Sequence, residues 1–136
     1  MRATLFAVLA GLSLAAGGAA RADDLAAANA AFDAKDYAKA FELYSPLARD
    51  GDAAAQSAIG SLYFFGNGVG KNASRAYMWF ALASRSAAPV ATVARTNRDV
   101  VRAQLAASEI KDADAMADAC LQSHFAQCGL ALYAAR

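Results

Sequence analysis

Cys120, His124 and Cys128 are spaced four apart near the end of the chain, and a continuous helix would put all three on one face. Two thiolates and an imidazole are zinc ligands, with Asp118 or a water as the fourth. Zinc motifs, however, usually close short loops rather than run along a helix, and His124 is the only histidine. The competing chemistry is oxidative. A chain that reads as exported and holds just two cysteines points to one disulfide. That pairing constrains the backbone, because eight residues of helix separate two Cα atoms by about 12 Å. A disulfide needs less than about 7 Å. The helix must therefore break near Ser123 to Gln127, and closing so short a loop contributes about 2–3 kcal/mol. Cys120 and Cys128 are assigned to a disulfide, and no residue to a metal or cofactor.

The other reactive residue types assemble less. Ser123 adjoins His124, but sequence neighbours on a helix do not form a Ser–His hydrogen bond, and no third member of a triad suggests itself. Gly66, Gly68 and Gly70 alternate as in a phosphate loop, yet they join two helices rather than follow a strand. Arg95, Arg98 and Arg102 form a basic stripe, and Asp114 with Asp118 an acidic one. These are either solvated helix faces, paired with each other or with water, or a patch for an acidic partner. No arrangement of this kind builds a catalytic centre, and the chain reads as non-enzymatic.

The elements that must position these residues are helical. Alanine is abundant while Val, Ile and Thr are scarce, which favours helix over strand. The first 22 residues combine a positive start, an apolar stretch and an A-x-A end at Ala20 to Ala22, the pattern of a cleaved secretory signal peptide. Serine and three glycines dilute that stretch too much for a strong membrane anchor. Cleavage removes Arg2 and Arg21, leaving eleven of thirteen basic residues against twelve acidic ones. A nearly neutral chain makes no case for nucleic acid or an anionic membrane surface as partner. Residues 23–136 fit a single domain.

Apolar spacing and stop signals predict helices over 24–34, 37–49, 53–65, 73–86, 90–106 and 109–122. Asp36, Asp52, Asn72 and Ser108 stand at N-cap positions, Gly51 at a helix end, and Pro89 where the fourth helix must stop. The fourth reads as an amphipathic helix from Ser74 to Ser86. Gly60 falls inside the third helix, at a cost of about 1 kcal/mol relative to alanine. Close approach of Trp79 or Phe80 to its backbone would offset that cost. Gly66 and Gly68 suit the positive φ of a tight interhelical turn, covered by Val69.

Laying the segment from Asp36 over the one from Asn72 aligns Ala40 with Ala76, Phe41 with Tyr77 and Tyr44 with Phe80. Residues 36–51 and 72–87 are thus equivalent second helices of stacked helix pairs. Within 46–86 stand Ala55-Gln56, Ile59-Gly60, Tyr63, Gly66-x-Gly68-Val69, Asn72, Ala76, Trp79-Phe80 and Ala83. This stretch resembles a Sel-one-like repeat, a relative of the tetratricopeptide repeat. Asn72 fills a slot that is acidic in the family, and Ile59 one that holds leucine. Residues 24–49 resemble a degenerate preceding repeat, and 90–136 a C-terminal cap.

The resemblance implies an all-α fold, a short α/α solenoid with a helical cap, used to hold other proteins. The expected role is a non-catalytic interaction module in the periplasm or secreted, whose partner is another envelope or secreted protein. Tyr63, Trp79 and Phe80 are expected inside, with Tyr77 partly buried. One of Phe64 and Phe65 is expected on the inner face as an aromatic anchor, the alternative being that both pack on the N-terminal pair. The alternatives in function are a small-ligand binder using a groove beside the cap, and a permanent accessory subunit. So short an array also invites self-association.

Overall fold

The computed structural model describes residues 16–125 and 128. Six helices occupy them: α1 (Ala16–Asp33), α2 (Tyr37–Arg49), α3 (Ala53–Phe65), α4 (Ala73–Ala83), α5 (Val90–Arg102) and α6 (Ala107–Gln122). The fold is all-α, with no strand among the described residues. The short connections turn each helix back on its predecessor through α5, whereas α6 skips α5 and packs on α4. None of these helices is long and apolar enough to cross a membrane.

Helix starts follow their caps. The Asp36 side chain accepts from the Lys39 N–H at 3.2 Å, Asp52 from Ala55 at 2.8 Å and Asn72 from Arg75 at 2.9 Å. Ser108 does not cap α6. The N-cap is Ala106, whose N–H donates to the Glu109 carboxylate at 2.8 Å, so the reach back from the first turn starts the helix two residues early. α1 begins at Ala16 rather than at 24, because its alanine-rich start is itself a good helix former. It runs through the expected cleavage site, while residues 1–15 of the expected leader lie outside the described part.

The ends of α1, α2 and α6 share one device. At Gly51, with φ +90°, the Asp52 N–H donates to the Leu47 carbonyl at 3.0 Å and the Gly51 N–H to Ala48 at 3.2 Å. Lys35 closes α1 the same way at φ +62°, and His124 closes α6 at φ +49°. In α6 the Phe125 N–H reaches the Cys120 carbonyl at 2.8 Å. The break falls where the disulfide requires it: Cys120 and Cys128 are paired with their Cα atoms 4.5 Å apart. Phe125, also left-handed at φ +65°, lays its ring on Gly51, where a Cβ would come within 2.9 Å of Cε2.

The core gathers on α4. Every side chain from Ala76 to Ala83 is buried, so the expected amphipathic helix is instead covered all round. Tyr77, expected to be partly exposed, is inside with the rest. α3 and α5 cover two sides of α4, and α6 lays the buried row Ala113, Ala117 and Cys120 over a third. α4 stops at Ala83, short of Ser86, as Ser84 turns its hydroxyl onto the Ala81 carbonyl at 2.8 Å and the next amides bond three residues back. Pro89 therefore does not end α4; it starts α5. α5 in turn ends at Arg102, because Gln104 and Leu105 tighten into three-residue turns that send the chain back to α4.

Gly60 makes room for Phe80, not Trp79: a Cβ there would lie 2.9 Å from Phe80 Cε1. Gly66 and Gly68 take φ +73° and +69°. Gly68 has a second reason, since its missing Cβ would sit 2.5 Å from the Tyr37 carbonyl carbon at the start of α2. Val69 packs on the core from this loop, and the Asn72 N–H donates to the Tyr63 carbonyl at 2.8 Å.

Candidate functional site

α3 contains no charged residue over its whole length. Its less covered face is a row at i, i+4, i+7 and i+11: Ala54, Ala58, Ser61 and Phe65. The helix buries Ile59, Leu62 and Tyr63 on its other side, so the tail of the row stands toward solvent. Phe65, at the end, is 66 % exposed. Phe64 beside it is half-buried against the core and meets the Phe65 ring edge-on at 5.0 Å. Lys71 Nζ lies 5.9 Å from the Phe64 ring centre. Of the two phenylalanines, Phe65 is thus the exposed one and Phe64 the half-buried one, and Phe64 lies beside Phe80 and α5 rather than the N-terminal pair.

α5 touches α3 and carries a second row with the same spacing: Val93, Asn97, Val100 and Gln104. Its buried residues are Ala91, Ala94 and Val101, and they leave Val93 and Val100 58 % and 52 % exposed. Phe65, Val93 and Val100 are the large apolar side chains most exposed among the described residues. Where the rows meet, Ser61, Phe64, Phe65, Phe80, Asn97, Val100 and Val101 line a small cavity of about 200 Å³. The Ser61 hydroxyl is engaged by the Ser57 carbonyl at 3.1 Å. The Asn97 side-chain amide makes no hydrogen bond within the described residues.

The arginine stripe does not join this groove. Arg95, Arg98 and Arg102 occupy the opposite flank of α5 from Val93 and Val100, about 160° around the helix at 100° per residue. Arg98 pairs with its neighbour Asp99 at 2.8 Å. The acidic stripe is engaged elsewhere too, since the Tyr77 hydroxyl donates to Asp114 at 3.1 Å and Arg85 pairs with Asp118 at 2.6 Å. The two stripes therefore do not pair with each other, because α6 lies on α4 rather than on α5. Burial, then the hydrogen bond and charge of Asp114, push the Tyr77 phenol up, against the opposing charges of Arg102 and Arg98.

Near the C-terminal turn the thiols are committed to each other, so Cys120 and Cys128 offer no thiolate to a metal. No cluster of three ligand residues occurs among the described residues. The Ser123 hydroxyl donates to the Cys120 carbonyl at 3.0 Å, which ties it to the helix end rather than to His124.

Val93, Asn97 and Val100 were not picked out from sequence, though a signal was present. Two valines seven residues apart stand outside the Ala91, Ala94, Val101 register, on a flank without charge. The arginines of the other flank are the more conspicuous pattern. Compared with protein-family models, with curated proteins and with solved structures, the chain finds no match.

Proposed function

We propose that this chain is an exported, non-catalytic protein-interaction module of the Sel-one-like repeat type, and that it docks its partner on the α3–α5 face. The observation that carries this reading is the exposure of Phe65, on the uncharged helix α3, together with Val93 and Val100 on the neighbouring α5. Exposed apolar patches of this kind mark interaction sites, and interface cores are depleted of charge. The repeat reading draws support from the matching burial of Ala40 and Ala76, Phe41 and Tyr77, and Tyr44 and Phe80. Export draws support from the start of the described surface: residues 21–24 are exposed and Leu25 packs on the core, so cleavage after Ala22 keeps every described core contact. A disulfide accords with an oxidising compartment.

The small-ligand alternative asked for a dry aromatic groove beside the cap, and this one is lined mainly by apolar side chains. Its volume, about 200 Å³, weighs against it, since ligand sites usually offer roughly 300–1,000 Å³. The test is photocrosslinking in the producing cell with the probe at position 65 and, separately, at position 98. A discrete protein adduct at 65 establishes the module and its face. An adduct at 98 alone moves the docking surface to the arginine flank. No adduct at either site from well-expressed protein rejects the reading, and a stoichiometric complex that never dissociates would make the chain a permanent accessory subunit.

A further inference from the structure

We infer that the α3–α5 cavity receives one bulky apolar side chain, a phenylalanine, leucine or methionine, from an uncharged helical segment of the partner. This rests on the interaction-module reading and gives its partner a chemistry. The size of the cavity sets the first requirement. A dry cavity of about 150 Å³ takes up benzene, so the space between Phe64, Phe65, Phe80, Val100 and Val101, at about 200 Å³, suits a single side chain. The exposed edge of Phe65 offers such a residue an aromatic contact, worth most for a ring.

The spacing of the rows sets the second. Val93 and Val100 lie seven residues apart, about 10.5 Å along α5, which is the rise between positions i and i+7 of any helix laid beside it. A helix docked along α5 with its anchor in the cavity brings the residue seven positions away over the exposed Val93, where an apolar side chain fits. Ala58 and Ser61 leave α3 low beside the valley, so that the docked backbone comes close. Asn97 stands between the two valines with an uncommitted amide, positioned to meet a polar group of the segment.

Charge and area set the third. No charged side chain lines the cavity, and the Lys71 ammonium stands outside it, 5.9 Å from the Phe64 ring centre, so a charge seated in the cavity would lose its water without a hydrogen-bonded counter-charge. Phe65, Val93 and Val100 together leave on the order of 300 Å² of apolar surface in water. A stable dimer needs about 800 Å² from each partner. The apolar area of these three side chains alone falls well short of that, which favours one helix lying in a groove over a second copy of the chain.

The probe is a fluorescein-labelled peptide of about 16 residues, built from alanine and glutamine with phenylalanine at one position and valine seven further on. Matched probes carry alanine or aspartate in place of the phenylalanine, and each is titrated by anisotropy against protein purified from the cell that makes it. The phenylalanine probe is expected to bind at least about tenfold tighter than the other two. Val100→Asp, at an exposed position, is expected to weaken it at least about tenfold with the circular dichroism unchanged, and Phe65→Gln to act alike. Arg95→Glu on the far flank is expected to leave it within about twofold.

Equal binding of the phenylalanine and alanine probes, or indifference to both Val100→Asp and Phe65→Gln, overturns the inference. A concentration-dependent mass in sedimentation that Val100→Asp abolishes overturns it in favour of a second copy. If no probe binds while crosslinking at 65 captures a protein, the module stands and the helical anchor falls. If both fail, both readings fall.

Discussion

α2 and α4 repeat one pattern at a shift of 36 residues, yet the two helices meet different surroundings. Their inner positions agree: Ala40 and Ala76 are wholly buried, as nearly are Phe41 and Tyr77, and Tyr44 and Phe80. They part on the outer side. Glu42 and Pro46 of α2 face solvent, whereas the equivalent Met78 and Leu82 of α4 are buried. The cause is a third neighbour. α2 packs mainly on α1 and α3, but α4 also lies under α6, which is bound to it through Tyr77 with Asp114 and to the turn just after it through Arg85 with Asp118. One helical pattern thus becomes a half-exposed helix or a central one according to what lies over its back.

Exchanging the two outer residues tests this most severely. Met78→Glu places an unpaired carboxylate under α6 and is expected to cost about 3–5 kcal/mol. The reciprocal Glu42→Met is expected to stay within about 0.5 kcal/mol, since Glu42 holds only an exposed contact with Lys39. Urea unfolding of both variants decides it, and similar costs would end the comparison.

Removing the fastening of α6 is the next largest change. Cys128→Ser is expected to cost about 2–3 kcal/mol. Combined with Met78→Glu it should cost less than the sum by at least about 0.5 kcal/mol, because both act through the same cover. Strict additivity would show that α6 stays on α4 without the disulfide.

The smallest effect concerns the hydrogen bond between α4 and α6. Tyr77→Phe is expected to cost about 1 kcal/mol at neutral pH. The folded phenol is raised above its ordinary value, first by burial and then by Asp114, so the unfolded chain ionises first as pH rises. The stability from this group is complete below pH about 10 and is lost as pH climbs toward the folded value. Tyr44, raised by burial and by Asp33, adds to the same alkaline loss. Melting temperatures measured from about pH 9 to 11.5 should therefore fall less steeply in the Tyr77→Phe variant than in the parent. Parallel curves would mean that Tyr77 ionises as freely folded as unfolded.

Local signals were legible wherever one residue settles one backbone group. Asp36, Asp52 and Asn72 cap as their types predict, Gly66 and Gly68 turn left-handed, and two cysteines eight residues apart required the break that His124 and Phe125 make. Less legible was whatever depends on a distant partner. The burial of Met78 and Leu82 comes in a helix that also carries α5 and α6, which follow it in the chain, and nothing near them in sequence announces it. The α6 start moved from Ser108 to Ala106 because Glu109 satisfies the end from within. For the groove, the phenylalanines were visible but their division was not. Phe64 and Phe65 are equivalent by type, and only the direction of α3 relative to α5 assigns one to each side.

The ring of Phe125 on Gly51 joins the last turn of the described fold to the corner between α2 and α3. An open array of repeats grows by adding units and matures in the order in which they are made. This chain closes on itself instead. Until α6 is made, α4 lacks one of the three helices that pack on it, as incompletely covered folding intermediates do. A chain stopped before α6 would be neither a shorter repeat protein nor a stable half, and one lengthened inside α5 would pull its own clasp apart.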